Sequence, residues 1–444
     1  MPYTPHTPQD VKKMLDVIGI KEECELFDGV PSELRVKSFN LDQGLSEFEV
    51  FDNFNKLSNK NDTSKVSFLG GGYYDHIIPS AVDALSMRSE FYTAYTPYQA
   101  EASQGTLQVL YEYQSMICEL TGMEATNASM YDGGTAMAEA ALMAIRIGRK
   151  RKKIIIDSGV NPIYIKITQT YLAFHDTEVI VLDAKSDKID KQKLLDLIDE
   201  SVACYIFQNP NFFGSIEDYS EIVDALHSVN ALAIMSSYPI ALGILKSAKE
   251  MNADIYCGDG QSLGNYLGFG GPSFGILACK EKYIRNLPGR IVGITDDSKG
   301  RRSFVLTLQA REQHIRRNKA TSNICSNQNL MALRATIFMA LLGKEGFSKL
   351  SNQNYNNANY LKNELEKLDN INIFNKNPIF NEFVIEIPIS SSNFIDKMEK
   401  RNFFAGLKLD ALYKNFNNRV LVSVTEKRTK AQMDKFLTCV KEIV

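Results

Sequence analysis

The run Ala253-Asp254-Ile255-Tyr256-Cys257 reads as a strand that ends in Gly258-Asp259-Gly260-Gln261-Ser262-Leu263-Gly264, with Phe269-Gly270-Gly271-Pro272 close behind. In α/β proteins chemistry collects at the carboxyl ends of strands. A cofactor held there as a Schiff base would need a lysine. None occurs between Lys249 and Lys280. The gap needs explaining, because the rest of the chain is furnished for such a site.

Three other stretches carry chemistry-bearing residues. Gly70-Gly71-Gly72 leads straight into Tyr73, Tyr74, Asp75 and His76. The segment from Phe91 to Gly105 adds Tyr92, Tyr95, Thr96, Tyr98 and Gln99. Polar-tipped aromatics beside glycine turns suit ligand recognition, although loops packed by their own rings look similar. Residues 311–328 hold Arg311, His314, Arg316, Lys319 and Thr321 without a clean amphipathic period. They read either as a solvated helix or as a cationic and hydroxyl face turned to an anion. Finally, Asp132-Gly133-Gly134-Thr135 opens a helix over Ala138 to Ile147. It is either a phosphate cradle of free backbone N–H groups or an ordinary capped helix start.

The elements that must position these residues alternate. Strands are predicted at Lys153–Asp157, Glu178–Leu182, Ala203–Gln208, Leu232–Ser236, Ile255–Cys257 and Gly275–Ala278. Helices are predicted near Pro162–Phe174, Lys191–Glu200, Asp218–Ser228 and Ala241–Met251, and a long one over Ser103–Leu120. Such alternation predicts an α/β fold with a large, mostly parallel sheet covered on both faces. Residues 1–65 read as a helical arm, its first helix capped by Thr7 with Pro8 at the first position and Asp10 closing a capping box. Residues 66–310 form the large domain and 311–329 a polar connector. Residues 330–444 form a small C-terminal α+β domain, which opens on an apolar helix from Leu330 to about Leu342. Asn352, Asn354, Asn356, Asn357 and Asn359 look like a compositional patch on a helix surface.

Composition excludes several classes of function. Over 444 residues the net charge is −3, which gives no electrostatic footprint for nucleic acid or an acidic membrane. The one basic run, Arg149–Lys153, reads as a solvated helix end. The seven cysteines (Cys24, Cys118, Cys204, Cys257, Cys279, Cys325 and Cys439) form no CxxC pair, which points to buried thiols in a reducing compartment and to no metal site. Met1-Pro2-Tyr3-Thr4-Pro5-His6 has no targeting pattern, and no run approaches the about 20 apolar residues of a membrane span. A soluble, cytoplasmic protein is expected.

Several motifs together resemble a known family. Gly71-Gly72-Tyr73-Tyr74-Asp75, Tyr92-Thr93-Ala94-Tyr95-Thr96-Pro97-Tyr98-Gln99, Leu287-Pro288-Gly289-Arg290-Ile291-Val292-Gly293, Arg311–Arg317, Lys319–Cys325 and Val424–Thr429 look like the glycine decarboxylase P-protein. The family occurs as one fused chain or as two subunits, and this chain is similar to the first subunit. The resemblance implies a fold-type-I pyridoxal-phosphate-dependent transferase architecture and a pairing of two related halves. It also implies a reaction in which glycine is decarboxylated with pyridoxal phosphate and the aminomethyl group passes to the lipoyl H-protein. In the family the cofactor lysine belongs to the second half. Its place here falls on Ser262, and the place of the aspartate that holds the pyridine nitrogen falls on Ser236.

This chain is therefore expected to have no catalytic residue of its own, to work in a heterotetramer with glycine dehydrogenase subunit 2, which holds the cofactor covalently, and to be able to form a homodimer in isolation. The resemblance implies that Tyr73, Tyr74, His76, Tyr92, Tyr95, Thr96, Tyr98, Gln99, Gly270, Gly271, His314, Arg316, Lys319 and Thr321 wall the partner's site. Two alternatives stand beside it. One is a self-sufficient pyridoxal-phosphate aminotransferase or lyase; the other is a non-catalytic homodimeric scaffold of the same fold.

Overall fold

A computed structural model describes residues 5–36, 38, 40–184, 186–324, 327–414 and 416–444. Cys325 and the first four residues, read above for thiol chemistry and targeting, lie outside these. The chain divides into two compact units, Met1–Thr63 and Ser64–Val444.

The first unit carries two helices, Pro8–Ile18 and Glu47–Ser58. Thr7 accepts from the Asp10 amide while Asp10 accepts from the Thr7 amide, so the expected capping box forms. Ser46 and Glu49 repeat it on the second helix. Neither helix buries a residue, and Val17, Phe48, Phe51 and Phe54 are exposed.

The second unit is built on a seven-stranded sheet. Its strands are β1 (Ala125–Thr126), β2 (Lys153–Ile156), β3 (Glu178–Val181), β4 (Val202–Gln208), β5 (Leu232–Ser236), β6 (Ile255–Asp259) and β7 (Gly275–Cys279), in the order β1-β7-β6-β5-β4-β2-β3. Five neighbours, from β3 to β6, run parallel, and β7 is antiparallel to both of its partners. β4, β5, β6 and β7 are almost wholly buried, as a sheet covered on both faces requires. The register sets Gln208 beside Ser236 and Ser236 beside Cys257, so the carboxyl ends of β4, β5 and β6 line up at one edge. The chain reverses its direction of travel across the sheet between β2 and β4, and the crevice outside these strand ends is where ligands bind in such sheets.

Around the sheet most predicted elements hold. The helix predicted over Ala241–Met251 does not form. A short 3-10 helix, Pro239–Gly243, stands there instead, followed by turns. Gly243 lies so close to Ser351 that an added Cβ would sit 2.0 Å from its hydroxyl, and Ser247 and Glu250 close a local turn on each other. The helix expected over Lys191–Glu200 stops at Leu195. The sequence reading also missed an antiparallel hairpin, Ile291–Asp296 with Arg302–Thr307.

The C-terminal part carries a four-stranded sheet that includes Glu382–Glu386 and Arg419–Ser423. The helix that begins at Asn329 runs to Glu366, broken at Gly343, where φ 58° and ψ −175° are open only to glycine. Val66 and Ser67 pair with Phe403 and Phe404, and Phe68 packs in the C-terminal core, so the start of the expected large domain belongs structurally with the small one. The asparagine patch is also more than composition. Asn354 and Asn357 are buried. Asn354 donates to Glu426 and accepts from its amide, and Asn357 donates to the carbonyls of Thr425 and Arg428. Asn354→Ala leaves Glu426 short of two partners and should cost about 1–3 kcal/mol in urea unfolding, whereas exposed Asn356→Ala should change stability by less than about 0.5 kcal/mol.

Candidate functional site

The glycine run after Phe68 brings two tyrosines and a histidine under the strand ends. Gly70 passes so near Glu382 that a Cβ would lie 2.2 Å from its carboxylate, and Gly71 takes a left-handed φ of 85°. The Gly71 amide and the Tyr74 hydroxyl both donate to Glu382, at 2.7 and 2.8 Å. Burial pushes the Glu382 carboxyl up to about 7 despite those two bonds.

His76 is 6% exposed and both ring nitrogens are engaged, Nδ1 with Glu426 at 2.8 Å and Nε2 with the Tyr238 hydroxyl. Gln261 accepts from the Tyr74 amide at 2.9 Å and donates to its carbonyl. Tyr74 and His76 are therefore packed inward, committed to this chain's own groups. Tyr73 is half-buried and donates to Asp259 at 3.1 Å.

Ser236 and Ser262 are both 3% exposed. The crevice beside them is lined by Gly72, Tyr74, Asn161, Tyr164, Gln208, Ser236, Ser237, Tyr238, Gly258 and Asp259. It holds about 30 Å³. That is room for a water or two, against the several hundred Å³ of a cofactor pocket. The Asp259 carboxylate also occupies the helix start at Gly133, accepting from the Gly133 amide at 2.9 Å. Burial pushes its carboxyl up to about 6. Pyridoxal phosphate does not fit this crevice. There is no amine to hold it, no carboxylate at Ser236 for its ring nitrogen, and no space for the ring.

None of the other predicted residues lines this crevice; they are a set of mostly surface residues, the rim, within which Tyr98 meets His314 and Tyr92 shares a cavity with Tyr95. Tyr92, Tyr95, Tyr98, Gln99, Gly270, His314, Arg316 and Lys319 are exposed, with Tyr95 at 84%, and Thr96, Gly271 and Thr321 are half-buried. Tyr98 and His314 meet edge to face at 5.6 Å. Arg290 donates to the Tyr98 hydroxyl at 3.1 Å, with its guanidinium over the same ring. Arg311 donates to the Gly289 carbonyl and pairs with Glu312. Sequence reasoning named Arg311 in the cationic run 311–328 but did not list it among the site residues, and it did not single out Arg290. The available signal was their presence in two of the family-like motifs. Tyr92, Tyr95, Thr106, Asn327, Leu330 and Leu333 help line a separate cavity of about 320 Å³ beside the rim. Phe269 at the tip of the glycine loop is fully exposed.

Sheet order, strand-end crevice and C-terminal α+β domain define the fold-type-I pyridoxal-phosphate-dependent class. Solved structures of a sphingosine-1-phosphate lyase from Burkholderia pseudomallei and of a glutamate decarboxylase from Lactobacillus brevis share this fold, with TM-scores of 0.66 and 0.68 at 13% and 14% identity; they cover 93% and 94% of this chain, which covers 93% and 97% of theirs. The chain belongs to the glycine cleavage system P-protein family, whose profile matches residues 1–440. It is 51% identical over 442 residues to the probable glycine dehydrogenase (decarboxylating) subunit 1 of Citrifermentans bemidjiense, covering 100% of this chain and 99% of that one. The protein of the same description from Maridesulfovibrio salexigens is 47% identical, with 98% of each chain covered. A solved structure of glycine decarboxylase (P-protein) of the glycine cleavage system, in inhibitor-bound form, superposes with a TM-score of 0.93 at 38% identity over 100% of both chains.

Proposed function

We propose that this chain is the lysine-free subunit of a two-subunit glycine dehydrogenase (aminomethyl-transferring), and that it completes a site whose pyridoxal phosphate the partner subunit holds covalently. The assembled enzyme decarboxylates glycine and passes the aminomethyl group to the lipoyl arm of the H-protein. The observation that carries this reading is the contrast between a closed crevice and an open rim. The chain's own strand ends are filled by Tyr74, Tyr164 and Tyr238, while Tyr92, Tyr95 and Phe269 stand in solvent. Exposed aromatics of this kind, with Tyr98 set against Arg290 and His314, suit a surface that another molecule covers.

On this reading the rim residues Tyr92, Tyr95, Thr96, Tyr98, Gln99, Gly270, Gly271, His314, Arg316, Lys319 and Thr321 face the partner, and Arg290 holds Tyr98 in place. Tyr73, Tyr74 and His76 act indirectly, by fixing the loop that precedes them. Within the N-terminal arm, neither helix buries its apolar residues against the arm itself, and Val17, Phe48, Phe51 and Phe54 suit docking on a partner as well. The enzyme works in the cytoplasm. Among the described residues no helix is long and apolar enough to cross a membrane.

Co-expression with a lysine-bearing subunit of the same family tests the proposal. A stable complex on size exclusion, and glycine decarboxylation only in the mixture, are expected. Failure to form a complex, or activity of the lysine-bearing subunit that this chain does not raise, sinks it. Within the complex, Tyr95→Phe should lower kcat/KM for glycine about 3- to 10-fold, the worth of one neutral hydrogen bond, and leave assembly intact. Unchanged turnover would reduce the tyrosine loop to packing.

A further inference from the structure

The helix Gly133–Gly148 opens on Gly-Gly-Thr, a start whose free amides can receive an anion, and it is already occupied from within. Asp132 caps it, accepting from the Thr135 amide at 2.7 Å. The Gly133 amide is taken by Asp259 Oδ2 at 2.9 Å. Glycine is required at 133, since a Cβ there would lie 2.8 Å from the Asp259 amide and 2.5 Å from the Tyr164 hydroxyl. Asp259 is 7% exposed and draws three further donors: the Tyr73 hydroxyl at 3.1 Å, the Gln261 amide at 2.8 Å and the Ser273 hydroxyl at 2.5 Å. One carboxylate thus joins a helix start, the loop of the glycine run and the loop that follows Gly270–Gly271.

We infer that the Asp259 carboxylate is a built-in anion that replaces a cofactor phosphate at the Gly133 helix start and orders the Tyr73 and Ser273 loops without any cofactor. The donor set is that of a phosphate site: a helix N-terminal amide, a second backbone amide and two hydroxyls. Two carboxylates at one helix start, Asp132 and Asp259, also oppose the entry of a phosphate dianion. The inference rests on the reading that this chain carries no cofactor of its own. It goes further in naming the residue that keeps the two loops ordered in its absence.

The test is thermal unfolding of the full-length chain in inorganic phosphate against chloride at equal ionic strength. The unaltered protein should show only the general stabilisation that an excluded anion such as phosphate gives a folded chain over chloride, because its cradle is full. Asp259→Ala opens the cradle but keeps the amides and hydroxyls, and phosphate should raise its Tm over chloride by on the order of 2 °C or more beyond the shift of the unaltered protein. Asp259→Asn keeps the cradle filled and should show no shift beyond that of the unaltered protein. If Asp259→Ala does not fold in chloride, refolding from denaturant is compared in the two salts, and recovery in phosphate alone supports the inference. An alanine variant whose phosphate shift does not exceed that of the unaltered protein, or equal refolding in both salts, overturns it. A phosphate shift as large in the unaltered protein overturns it too. Pyridoxal phosphate bound stoichiometrically by the unaltered chain would instead defeat the cofactor-free reading beneath it, so the two failures are told apart.

Discussion

The isolated chain should stay colourless in excess pyridoxal phosphate, yield no stoichiometric borohydride-fixed adduct, and decarboxylate glycine at least about 10³-fold more slowly than the mixed enzyme. Three features of the crevice require this. The resemblance puts Ser262 and Ser236 at the places of the amine and the carboxylate, and neither serine supplies either group. The free space of about 30 Å³ excludes an aromatic ring. Admitting one would mean displacing Tyr74 or Tyr164, both buried, and each such ring buries on the order of 150–250 Å². A single Ser262→Lys substitution should therefore not restore cofactor binding, because it supplies the amine but neither the space nor the partner for the ring nitrogen. Difference absorbance and mass spectrometry after borohydride read both proteins. Stoichiometric colour in the unaltered chain would falsify the lysine-free reading and favour a self-sufficient enzyme.

Replacing Glu382 by glutamine should change how stability depends on pH. Its carboxyl is pushed up to about 7 by burial, from an ordinary value of 4.5. A carboxyl raised on folding contributes stability that is fully present below its unfolded pKa and is lost as pH rises through its folded one. The window is thus from about pH 4.5 to about pH 7. Across it the unaltered protein loses stability that Glu382→Gln keeps. The variant should match the parent near pH 4.5 and exceed it at pH 8, by at most about 3 kcal/mol. Glutamine can still accept from the Gly71 amide and meet the Tyr74 hydroxyl, so the packing survives. Glu217, raised to about 7, and Asp259 leave the parent with pH dependence of their own, and the difference between variant and parent isolates Glu382. Urea titrations at both pH values measure it. Equal stability differences at pH 4.5 and pH 8 would show that the carboxyl titrates normally.

Much of the architecture was legible in the sequence. Strands such as Leu232–Ser236 announce themselves as buried apolar runs, and the box of Thr7 and Asp10 is local chemistry within one turn. The missing lysine and the family-like motifs could also be read directly. Where sequence reasoning failed, a distant contact had overridden a local pattern. Ala241–Met251 has a helical period, but Gly243 is pressed against Ser351 in another helix. Asn354 and Asn357 look solvated until the turn at Thr425–Arg428 folds over them.

The same division runs through the site. Residue types showed that no lysine lies between Lys249 and Lys280, and the resemblance put Ser262 and Ser236 at the cofactor-holding places. Tyr73, Tyr74 and His76 resembled Tyr92, Tyr95 and Tyr98 in the sequence, as polar aromatics next to turns. Only the tertiary structure separated them, turning Tyr74 and His76 onto Glu382, Glu426 and Tyr238 and leaving the second group at the surface. The Gly133 helix start likewise read as a phosphate cradle or an ordinary cap. Its occupant, Asp259, lies 126 residues further along the chain. The sequence determined which groups this protein lacks. The fold decided what fills their place, because a buried polar group must find a partner and that partner is chosen by proximity in space.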